Sequence, residues 1–432
     1  MVNITEVFIE GLLNKSQEIH HGVMQQARKV LLDYLGVLVG GKKYLKEKHP
    51  DLMASALSGA FLNGFAAHVL ELDDGHRHGM IHLEASIVSA VLDAAEKEGL
   101  KSDDVLRGIV MGYEVAVRCA RAIQPGHKER GYHVSGTCGT IGSALGIAFA
   151  CGYTKEQMKS TLACAVSSAA GVLEIQEQAS EMKPYNVGRA AMAGLVAAQV
   201  GKLAMPGPDD ILGGKRGFLA ALTDTPKPEF LTDFDGESYC IEGIYQKVHA
   251  ACRHCHPAID ATIDIRNDIH FKPDQIDKIE VHTYKLAVGS HDHTQIMGIS
   301  SAKLSTPFAV ALTIVKGSAG YADYNEANLN DYNIKMLTHK VSVIEDENLT
   351  AQSPAVRGAK VTIYLKNGNV FEAPCLYPKG EPEHPLTKEE LEEKFRGLAV
   401  YGGMTRVECD EVINEIDKNE FSISKIVNII KK

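Results

Sequence analysis

The segment 71–82 concentrates side chains that can transfer protons or bind ions. Its twelve residues include three carboxylates, three histidines and an arginine, namely Glu71, Asp73, Asp74, His76, Arg77, His78 and His82. A connector between two helices normally needs only turn-forming residues, so this density of titratable groups is unusual. Three interpretations are open: a solvated loop, a metal site built from the histidines and acids, or acid–base chemistry in which carboxylates orient imidazoles.

A second cluster, at residues 247–256, is rich in cations. It consists of Lys247, His249, Cys252, Arg253, His254, Cys255 and His256. The CxxCH spacing matches a c-type haem attachment site, and its cysteines with nearby histidines could form half of a zinc site. Haem attachment requires export, and the sequence contains no second CxxC pair for zinc. We therefore interpret this cluster as one that binds substrate carboxylates, with metal or haem binding as the alternative class of function.

Two further polar patches, 130–137 and 181–189, contribute His133 and Lys183 at or near helix boundaries. Convergence of all four patches would create a cationic pocket able to hold a di- or tricarboxylate. Such a pocket suits abstraction of a proton α to a carboxylate, because cations stabilise the developing charge while a histidine or lysine takes the proton. The glycines that follow His133 do not have a dinucleotide or Walker spacing. Gly142 and Gly146 instead predict a helix face that packs closely against another helix.

Helices must position most of these groups. Apolar residues at helical spacing predict helices over 18–39 (ending at Gly40-Gly41), 60–70, 85–98, 105–123, 140–151, 154–176, 258–269, 304–315, 324–338 and 410–430. Residues 42–50 are expected to form a surface loop. Alternating segments predict strands over 278–283, 340–344 and 359–365, with a type I′ hairpin at Asn367-Gly368. The expected fold is mostly α, with a helical domain (1–245 and 386–432) interrupted by an inserted α+β domain (246–385).

The composition narrows the class of protein. The chain has 432 residues, 45% hydrophobic and 23% charged, as in globular proteins, and its net charge of −10 argues against nucleic acid as a bulk partner. No segment has the length and apolarity of a membrane span, and the first residues do not resemble a signal peptide. The nine cysteines are scattered, as in a reducing compartment. A cytoplasmic protein without nucleic acid or membrane partners is therefore expected.

The chain resembles the MmgE/PrpD family, which includes 2-methylcitrate dehydratase, cis-aconitate decarboxylase and iminodisuccinate epimerase. The motifs that carry this resemblance occur in order along nearly the whole chain. They are Ala27-Arg28 with Gly36, Asn63-Gly64 with His68, Asp73-Asp74 with His82, Gly112-Tyr113-Glu114-Val115, Gly131-Tyr132-His133, Lys183 with Gly188-x-Ala190-Ala191, Cys252-Arg253-x-x-His256 with Ile259-Asp260-Ala261, Tyr377-Pro378-Lys379-Gly380-Glu381-Pro382, Pro385-Leu386-Thr387 and Lys394-Phe395-Arg396.

The resemblance implies a homodimer with an inserted lid domain that works without metal or organic cofactor. It implies catalytic roles for His82, His133, Lys183 and Lys247, with the histidines transferring protons and the lysines holding carboxylates. The remaining candidates for substrate binding are Glu71, Asp73, Asp74, His78, Cys252, Arg253, His256 and Phe308. Phe308 occupies a position where the family often has tyrosine, so a hydroxyl donor is missing there. This departure argues against close identity with the decarboxylase.

These observations predict a cofactor-independent lyase that acts on a small hydroxylated di- or tricarboxylate. The favoured reaction is dehydration of the 2-methylcitrate type by proton abstraction α to a carboxylate. Decarboxylation of the cis-aconitate type, or epimerisation or isomerisation of an acidic substrate, is the alternative within the enzyme class. A metal- or haem-binding protein that uses the segments 73–82 and 249–256 is the alternative from another class.

Overall fold

The computed structural model describes residues 2–177, 180–236, 238–269, 271–289 and 291–430. Helices account for 59% of the structure and strands for 8%, which confirms the prediction of a mostly α protein. Contacts divide the chain into two compact units. The first unit comprises Met1–Ile175, Met182–Tyr245 and Thr387–Lys432, and the second comprises Gln176–Glu181 and Gln246–Leu386. No helix within the described residues is long and apolar enough to cross a bilayer.

The α-helices within the described residues carry chain-order labels. They are α1 Ile4–Lys15, α2 His21–Lys48, α3 Pro50–Met53, α4 Gly59–Val69, α5 Glu84–Glu98, α6 Ser102–Ile123, α7 Gly126–Glu129, α8 Val134–Ala150, α9 Lys155–Ser168, α10 Lys183–Gly201, α11 Phe218–Leu222, α12 Glu229–Thr232, α13 His256–Asp268, α14 Ile299–Lys303, α15 Thr306–Lys316, α16 Glu326–Leu329, α17 Tyr332–Thr338, α18 Glu347–Gln352, α19 Lys388–Tyr401, α20 Arg406–Ile416 and α21 Ile423–Ile430. Helices α13 to α18 belong to the second unit and the others to the first.

Close helix packing in the first unit depends on small residues. A Cβ added at Gly142 of α8 would lie 2.7 Å from the carbonyl oxygen of Gly112 in α6, and one at Gly146 would lie 2.9 Å from that of Gly108. Because any side chain at these positions would force the helices apart, glycine lets their backbones approach. The predicted packing role of Gly142 and Gly146 is confirmed. This arrangement buries α8 along its whole length and fixes the direction of its N-terminus.

The predicted end of a helix at Gly40-Gly41 is wrong, since α2 continues through both glycines to Lys48. A Cβ at Gly41 would lie 1.8 Å from the carbonyl oxygen of Ala66 in α4. The glycine therefore permits two helices to touch instead of ending one of them. As a consequence, residues 42–48, which were expected to form a surface loop, are helical.

Three other predicted helices are shorter than expected. The helix predicted over 154–176 ends at Ser168, although its capping box at Thr154 is present. The helix predicted over 324–338 is divided into α16 and α17, because the carboxylate of Asp331 accepts bonds from the N–H groups of a new first turn. The predicted helix 410–430 is likewise divided into α20 and α21.

The strands are β1 Gly75–His76, β2 Ile244–Tyr245, β3 Ile276–Thr283, β4 Val341–Glu345, β5 Ala359–Leu365 and β6 Val370–Cys375. In the first unit, β1 pairs with β2 in antiparallel orientation. In the second unit, a four-stranded sheet has the order β4-β3-β5-β6, in which only the β3–β4 pair is parallel. Helix α13 packs on β5 and β6. The three predicted strands are thus confirmed.

The predicted hairpin between β5 and β6 exists, but its predicted turn type is wrong. The N–H of Gly368 donates to the carbonyl oxygen of Leu365 at 3.0 Å, and that of Leu365 donates to Asn369 at 2.8 Å. Only Gly368 of the two central residues has a positive φ, 90°, whereas a type I′ turn requires a positive φ at both. The reversal is therefore a longer loop that ends in a left-handed glycine.

Candidate active site

The segment 71–82 is not a solvated loop, because its acids lie in the interior of the first unit. Asp73 and Asp74 are fully buried and Glu71 nearly so, whereas His78 is exposed. Glu71 has a left-handed φ of 56°, which is uncommon for a residue with a side chain and which reverses the chain directly after α4. The structure therefore separates His78 from the buried carboxylates, and a role of His78 in substrate binding stays a prediction.

Asp74 positions the start of α5. Its Oδ1 accepts hydrogen bonds from the N–H groups of Leu83 (3.2 Å) and Glu84 (2.9 Å), and its Oδ2 accepts one from the hydroxyl of Tyr113 (2.6 Å). Because Leu83 at the N-cap position has no side-chain acceptor, Asp74 caps this helix from nine residues away. Burial raises the pKa of Asp74 to about 7, against the opposing effect of the Tyr113 hydroxyl. Burial also raises the pKa of Glu84 well above its ordinary value.

His82, which immediately precedes this capped helix, is held by two backbone contacts. Its Nδ1 lies 2.7 Å from the carbonyl oxygen of Asp74, and its own backbone N–H donates to the hydroxyl of Ser135 at 3.0 Å. A carbonyl oxygen can only accept, so the proton of the imidazole must be on Nδ1. The lone pair of His82 is therefore on Nε2, where it can act as a base.

A second histidine, His68 in the last turn of α4, shares a carboxylate with His82. The Nδ1 of His68 lies 2.6 Å from Oδ2 of Asp73, and the Nδ1 of His82 lies 3.6 Å from the same oxygen. The two rings meet edge to face with centroids 5.1 Å apart. Both His68 and Asp73 are fully buried. An anionic carboxylate in this position stabilises positive charge on an imidazole that has accepted a proton.

His133 is the N-cap residue of α8, as its predicted place at the mouth of a helix requires. Its Nδ1 accepts a hydrogen bond from the side-chain amide of Asn186 in α10 at 3.1 Å, so the ring proton is on Nε2. Burial, followed by the charges of Lys183 and neighbouring histidines, lowers the pKa of His133 well below its ordinary value of 6.5. His133 is therefore a neutral imidazole that donates from Nε2, the reverse of the arrangement at His82.

Lys183, the first residue of α10, binds the carboxylate of Glu71 through its ammonium group. The side chains of both residues are nearly buried, with exposed fractions of 12% for the lysine and 10% for the glutamate. The Nε2 of His68 lies 4.0 Å from Glu71. The first unit therefore brings together five predicted site residues, namely Glu71, Asp73, His82, His133 and Lys183. Of these, Glu71 and Lys183 are 112 residues apart in the chain.

Three helix N-termini meet around these side chains. His82 precedes α5, His133 caps α8 and Lys183 begins α10, and these three helices pack on one another. The N-terminus of a helix carries partial positive charge and outward-pointing N–H groups, so it favours anions. The combination of three such ends with one ammonium group makes this part of the first unit electrostatically suited to carboxylates.

The same region also bears on the metal interpretation of segment 73–82. His68, Asp73 and His82 offer donor atoms that lie within 4.8 Å of one another. However, the ring nitrogens of His68 and His82 nearest to Asp73 are both engaged in hydrogen bonds. A cation would have to replace these bonds, so the arrangement fits shared protons better than metal coordination.

Lys247 and His256 are predicted site residues of the second unit. Lys247 and His256 are buried, and the pKa of His256 is lowered well below its ordinary value by burial and by the nearby charges of His249, Arg253 and Lys247. The Nε2 of His249 lies 2.6 Å from Asp260, whose other oxygen accepts the backbone N–H of residue 379 at 2.7 Å. The catalytic role of Lys247 and the binding role of His256 stay predictions.

Arg253 and Phe308 have partners within the second unit itself. The guanidinium of Arg253 donates from Nε to Glu381 at 2.8 Å and from a second nitrogen to the same oxygen. Phe308 in α15 is buried, and its ring lies 6.0 Å from that of Tyr324. Arg253 therefore binds a carboxylate of this chain, while its predicted contact with a substrate carboxylate, like that of Phe308, stays a prediction.

The two thiols of the CxxCH motif have different environments. Cys255 is fully buried, and its sulfur accepts a hydrogen bond from the hydroxyl of Thr306 at 3.5 Å. Cys252 is partly exposed, and its sulfur lies 3.7 Å from Nε2 of His291. Attachment of a haem requires both sulfurs to be accessible on one side, so this geometry argues against the haem interpretation.

Comparison with known proteins identifies the family. The model of the MmgE/PrpD N-terminal domain matches residues 49–231, and that of the MmgE/PrpD C-terminal domain matches residues 249–418. The chain belongs to the MmgE/PrpD family. Two MmgE/PrpD domain models thus account for most of the sequence in the expected order, which confirms the resemblance noted from its motifs.

Individual relatives are distant but match along most of their length. The cis-aconitate decarboxylase-like protein oryM of Aspergillus oryzae is 24% identical, with 89% of this chain and 88% of the relative covered. Cis-aconitate decarboxylase of Homo sapiens is 23% identical over 90% of this chain and 80% of the relative. The enzyme of the same name from Mus musculus is 24% identical over 92% and 87%. At this identity, membership in the MmgE/PrpD family does not specify the reaction.

Sequence reasoning missed three residues that complete these clusters. His68 is a lone histidine near the end of an apolar helix, three residues before Glu71, and this spacing could have indicated its contact with the acids. Asn186 is one helical turn after Lys183 and therefore lies on the same helix face. His291 is 39 residues from Cys252, and no local pattern connects the two.

Proposed function

We propose that this member of the MmgE/PrpD family is a lyase that acts on a small polycarboxylate by proton transfer at a carbon α to a carboxylate. The observation that carries the proposal is the opposite orientation of two neighbouring imidazoles. The proton of His82 is on Nδ1 and that of His133 is on Nε2. One ring can therefore accept a proton while the other donates a hydrogen bond, as abstraction next to a carboxylate requires.

His82 is proposed as the general base. Its Nε2 would take the α proton, and the resulting imidazolium would be stabilised by Asp73, 3.6 Å from Nδ1. The bond from Nδ1 to the carbonyl oxygen of Asp74 keeps the ring in the tautomer that can accept. Asp74 is therefore proposed as a positioning residue, because it fixes both this ring and the start of α5.

His133 and Lys183 are proposed to stabilise the charge that develops on the substrate. A neutral imidazole with a depressed pKa is a poor proton source but a good hydrogen-bond donor to a carboxylate oxygen that gains enediolate character. The ammonium group of Lys183, held by Glu71, can bind a substrate carboxylate and can supply the proton to a departing hydroxyl group. Lys247 is retained as a second predicted cation.

Dehydration of a 2-methylcitrate-type substrate is the proposed reaction. The base removes the α proton, the bond from the β carbon to its hydroxyl oxygen breaks, and the leaving oxygen takes a proton to form water. Decarboxylation of a cis-aconitate-type substrate is the second candidate, and it is favoured by the printed names of the distant relatives. Both reactions need the same cationic site and the same donor to a carboxylate oxygen.

The test is to incubate the full-length protein with 2-methylcitrate, citrate or cis-aconitate in deuterated buffer and to follow the mixture by NMR. Formation of an alkene with loss of the hydroxyl carbon signal supports dehydration. Release of carbon dioxide from cis-aconitate supports the second candidate, and deuterium uptake without net product indicates epimerisation. Absence of turnover and of deuterium uptake with every acid would contradict the proposed lyase. The predicted homodimer is tested separately by light scattering.

A further inference from the structure

We propose that Cys252, His254 and His291 form a binding site for a thiophilic divalent cation such as Zn²⁺ in the second unit. The proton-transfer steps proposed above do not involve these three residues, although Cys252 is also a predicted substrate-binding residue. Three donor atoms, one from each residue, lie within 4.8 Å of one another. A thiolate with two imidazoles is a donor set that Zn²⁺ prefers, and a site with three protein ligands keeps a fourth position for water or another ligand.

The distances suit a single central ion. For a tetrahedral zinc ion with ordinary Zn–S and Zn–N bonds, a sulfur and a nitrogen ligand are about 3.6 Å apart. The observed separation of Cys252 Sγ and His291 Nε2 is 3.7 Å. The rings of His254 and His291 lie side by side, with centroids 4.8 Å apart and an interplanar angle of 23°. One nitrogen of each ring lies within 4.8 Å of the other and of the Cys252 sulfur.

The hydrogen bonds behind the two imidazoles are those that metal-binding histidines usually make. His291 Nδ1 lies 2.9 Å from the carbonyl oxygen of Leu304, so its proton is on Nδ1 and the lone pair on Nε2 is directed toward Cys252. His254 Nδ1 lies 2.6 Å from the hydroxyl of Tyr284, and this bond orients the ring. Such outer contacts fix the tautomer and the ring orientation of a ligand.

The backbone of the site is also held in place. The N–H of Cys252 donates to the carbonyl oxygen of Lys303 at 2.8 Å, and that of Thr306 donates to the carbonyl oxygen of His291 at 2.8 Å. The ligand segments are therefore tied to the end of α14 and to the start of α15. The three ligands are neither fully buried nor fully exposed, so an ion can enter without unfolding of the unit. Ligands that are positioned before binding lose little conformational entropy when the ion arrives.

A cysteine–histidine pair that acts as a nucleophile is the competing interpretation. Such a pair would use Cys252 and His291, with the carbonyl oxygen of Leu304 as the orienting group. It gives no role to His254, whose ring is nevertheless stacked on His291 and oriented by Tyr284. A cation explains all three side chains, and we therefore favour it.

The experiment is a titration of metal-free, reduced, full-length protein with Co²⁺ as a spectroscopic probe for the zinc site. One equivalent is expected to produce visible bands of a tetrahedral site together with a near-ultraviolet sulfur-to-cobalt charge-transfer band. Addition of Zn²⁺ should remove both sets of bands. The variant Cys252→Ser should lose the charge-transfer band, and His291→Ala should weaken cobalt binding at least about tenfold, because one of three protein ligands is lost.

Two matched variants act as controls. Cys255→Ser changes the other thiol of the motif, which is bonded to Thr306, and His293→Ala changes a histidine two residues from His291 that contacts Ser301. Both controls should keep the charge-transfer band, and circular dichroism should show that every variant is folded. In an independent measurement, Zn²⁺ should raise the unfolding temperature of the wild type but not that of His291→Ala.

Three results would each overturn the proposal. The first is the absence of a charge-transfer band in the wild type, and the second is its persistence in Cys252→Ser. The third is cobalt binding that His291→Ala leaves unchanged while His68→Ala or Asp73→Asn abolishes it, which would assign the ion to the acids and histidines of the first unit.

Discussion

The histidines of the two units differ in the hydrogen bonds that their Nδ1 atoms make. In the first unit, Nδ1 of His82 donates a hydrogen bond, whereas Nδ1 of His133 accepts one. The first ring can therefore accept a proton, and the second can donate a hydrogen bond. In the second unit, His254 and His291 are both bonded at Nδ1 by oxygen atoms, beside a thiol. Hydrogen bonds at Nδ1 therefore orient the histidines of both units, and they support the proposed proton transfer in the first unit and the proposed cation site in the second.

The cationic side chains of the two units differ in the surroundings of their ion pairs. Lys183 binds Glu71 next to three helix N-termini, where an additional carboxylate is electrostatically favoured. Arg253 and Glu381 form a buried pair with exposed fractions of 6% and 2%, in which the arginine already has its carboxylate. The comparison shows that the density of cations in a sequence does not distinguish a substrate site from a structural ion pair. The following substitutions should distinguish residues of a substrate site from residues that stabilise the fold.

Replacement of His82 should have the largest effect. His82→Ala removes the proposed base, and turnover should fall roughly 10²–10⁴-fold because proton transfer by a positioned side chain contributes that much. The variant should remain folded, since Asp74 still caps α5, and its unfolding temperature is measured to verify this. The rate is measured with whichever acid is turned over in the NMR assay. His21→Ala, at an exposed histidine, is the control. Equal rates for the two variants would remove His82 from the mechanism.

Replacement of Arg253 should affect stability instead. Arg253→Met leaves Glu381 buried without its cation, and the second unit should lose about 3–5 kcal/mol. The double variant Arg253→Met/Glu381→Leu should recover much of this loss, because neither charge of this pair then remains. Hydrogen exchange over the second unit measures the effect. Lys360→Met is the control, since its pair with Glu372 is exposed and should contribute at most about 1 kcal/mol. A loss in Arg253→Met no larger than in the control would contradict a structural pair.

Replacement of Asp74 should have an intermediate effect on both properties. All three groups bonded to its carboxylate are donors, so the amide nitrogen of Asp74→Asn would face a donor. We expect a loss of about 1–3 kcal/mol in the free energy of unfolding and a lower kcat, because the start of α5, which directly follows His82, is then held less firmly. Asp346→Asn is the control, since this carboxylate caps α18 and asparagine caps nearly as well. An Asp74→Asn variant as stable and active as the control would show that Asp74 does not position this region.

The pH dependence of stability should show the smallest effect. Because the pKa of His133 is depressed in the folded state, its contribution is present above 6.5, its ordinary value, and is lost as the pH falls below it. His133→Gln should therefore flatten the decline of the unfolding free energy below 6.5 by up to about 1.4 kcal/mol per pH unit. Denaturant unfolding of wild type and variant at several pH values provides the comparison, and His21→Ala should not alter the slope. Parallel curves for wild type and His133→Gln would contradict a buried neutral imidazole.

Local sequence patterns predicted many helices and strands but not all of the residues at which they begin and end. The helix start at Thr154 and the alternation in β5 are set by neighbouring residues, and both are confirmed. The predicted helix end at Gly41 is wrong because this residue must be glycine for another reason. A side chain here would collide with the carbonyl oxygen of Ala66 in another helix. Only the packed structure shows that neighbour. The predicted inserted lid and the boundary residues of the domains stay predictions.

The sequence by itself determined the MmgE/PrpD family, the mostly helical class and the residue types from which a site for polycarboxylates can be built. These depend on motifs and on periodicities that are written locally in the chain. Tertiary structure alone decided which side chains meet and which atoms they present. His68 joins Asp73, Asn186 sets the tautomer of His133, and His291 reaches Cys252. The physical reason is that a hydrogen bond selects one nitrogen of an imidazole, and the partner that makes this choice can be far away along the chain.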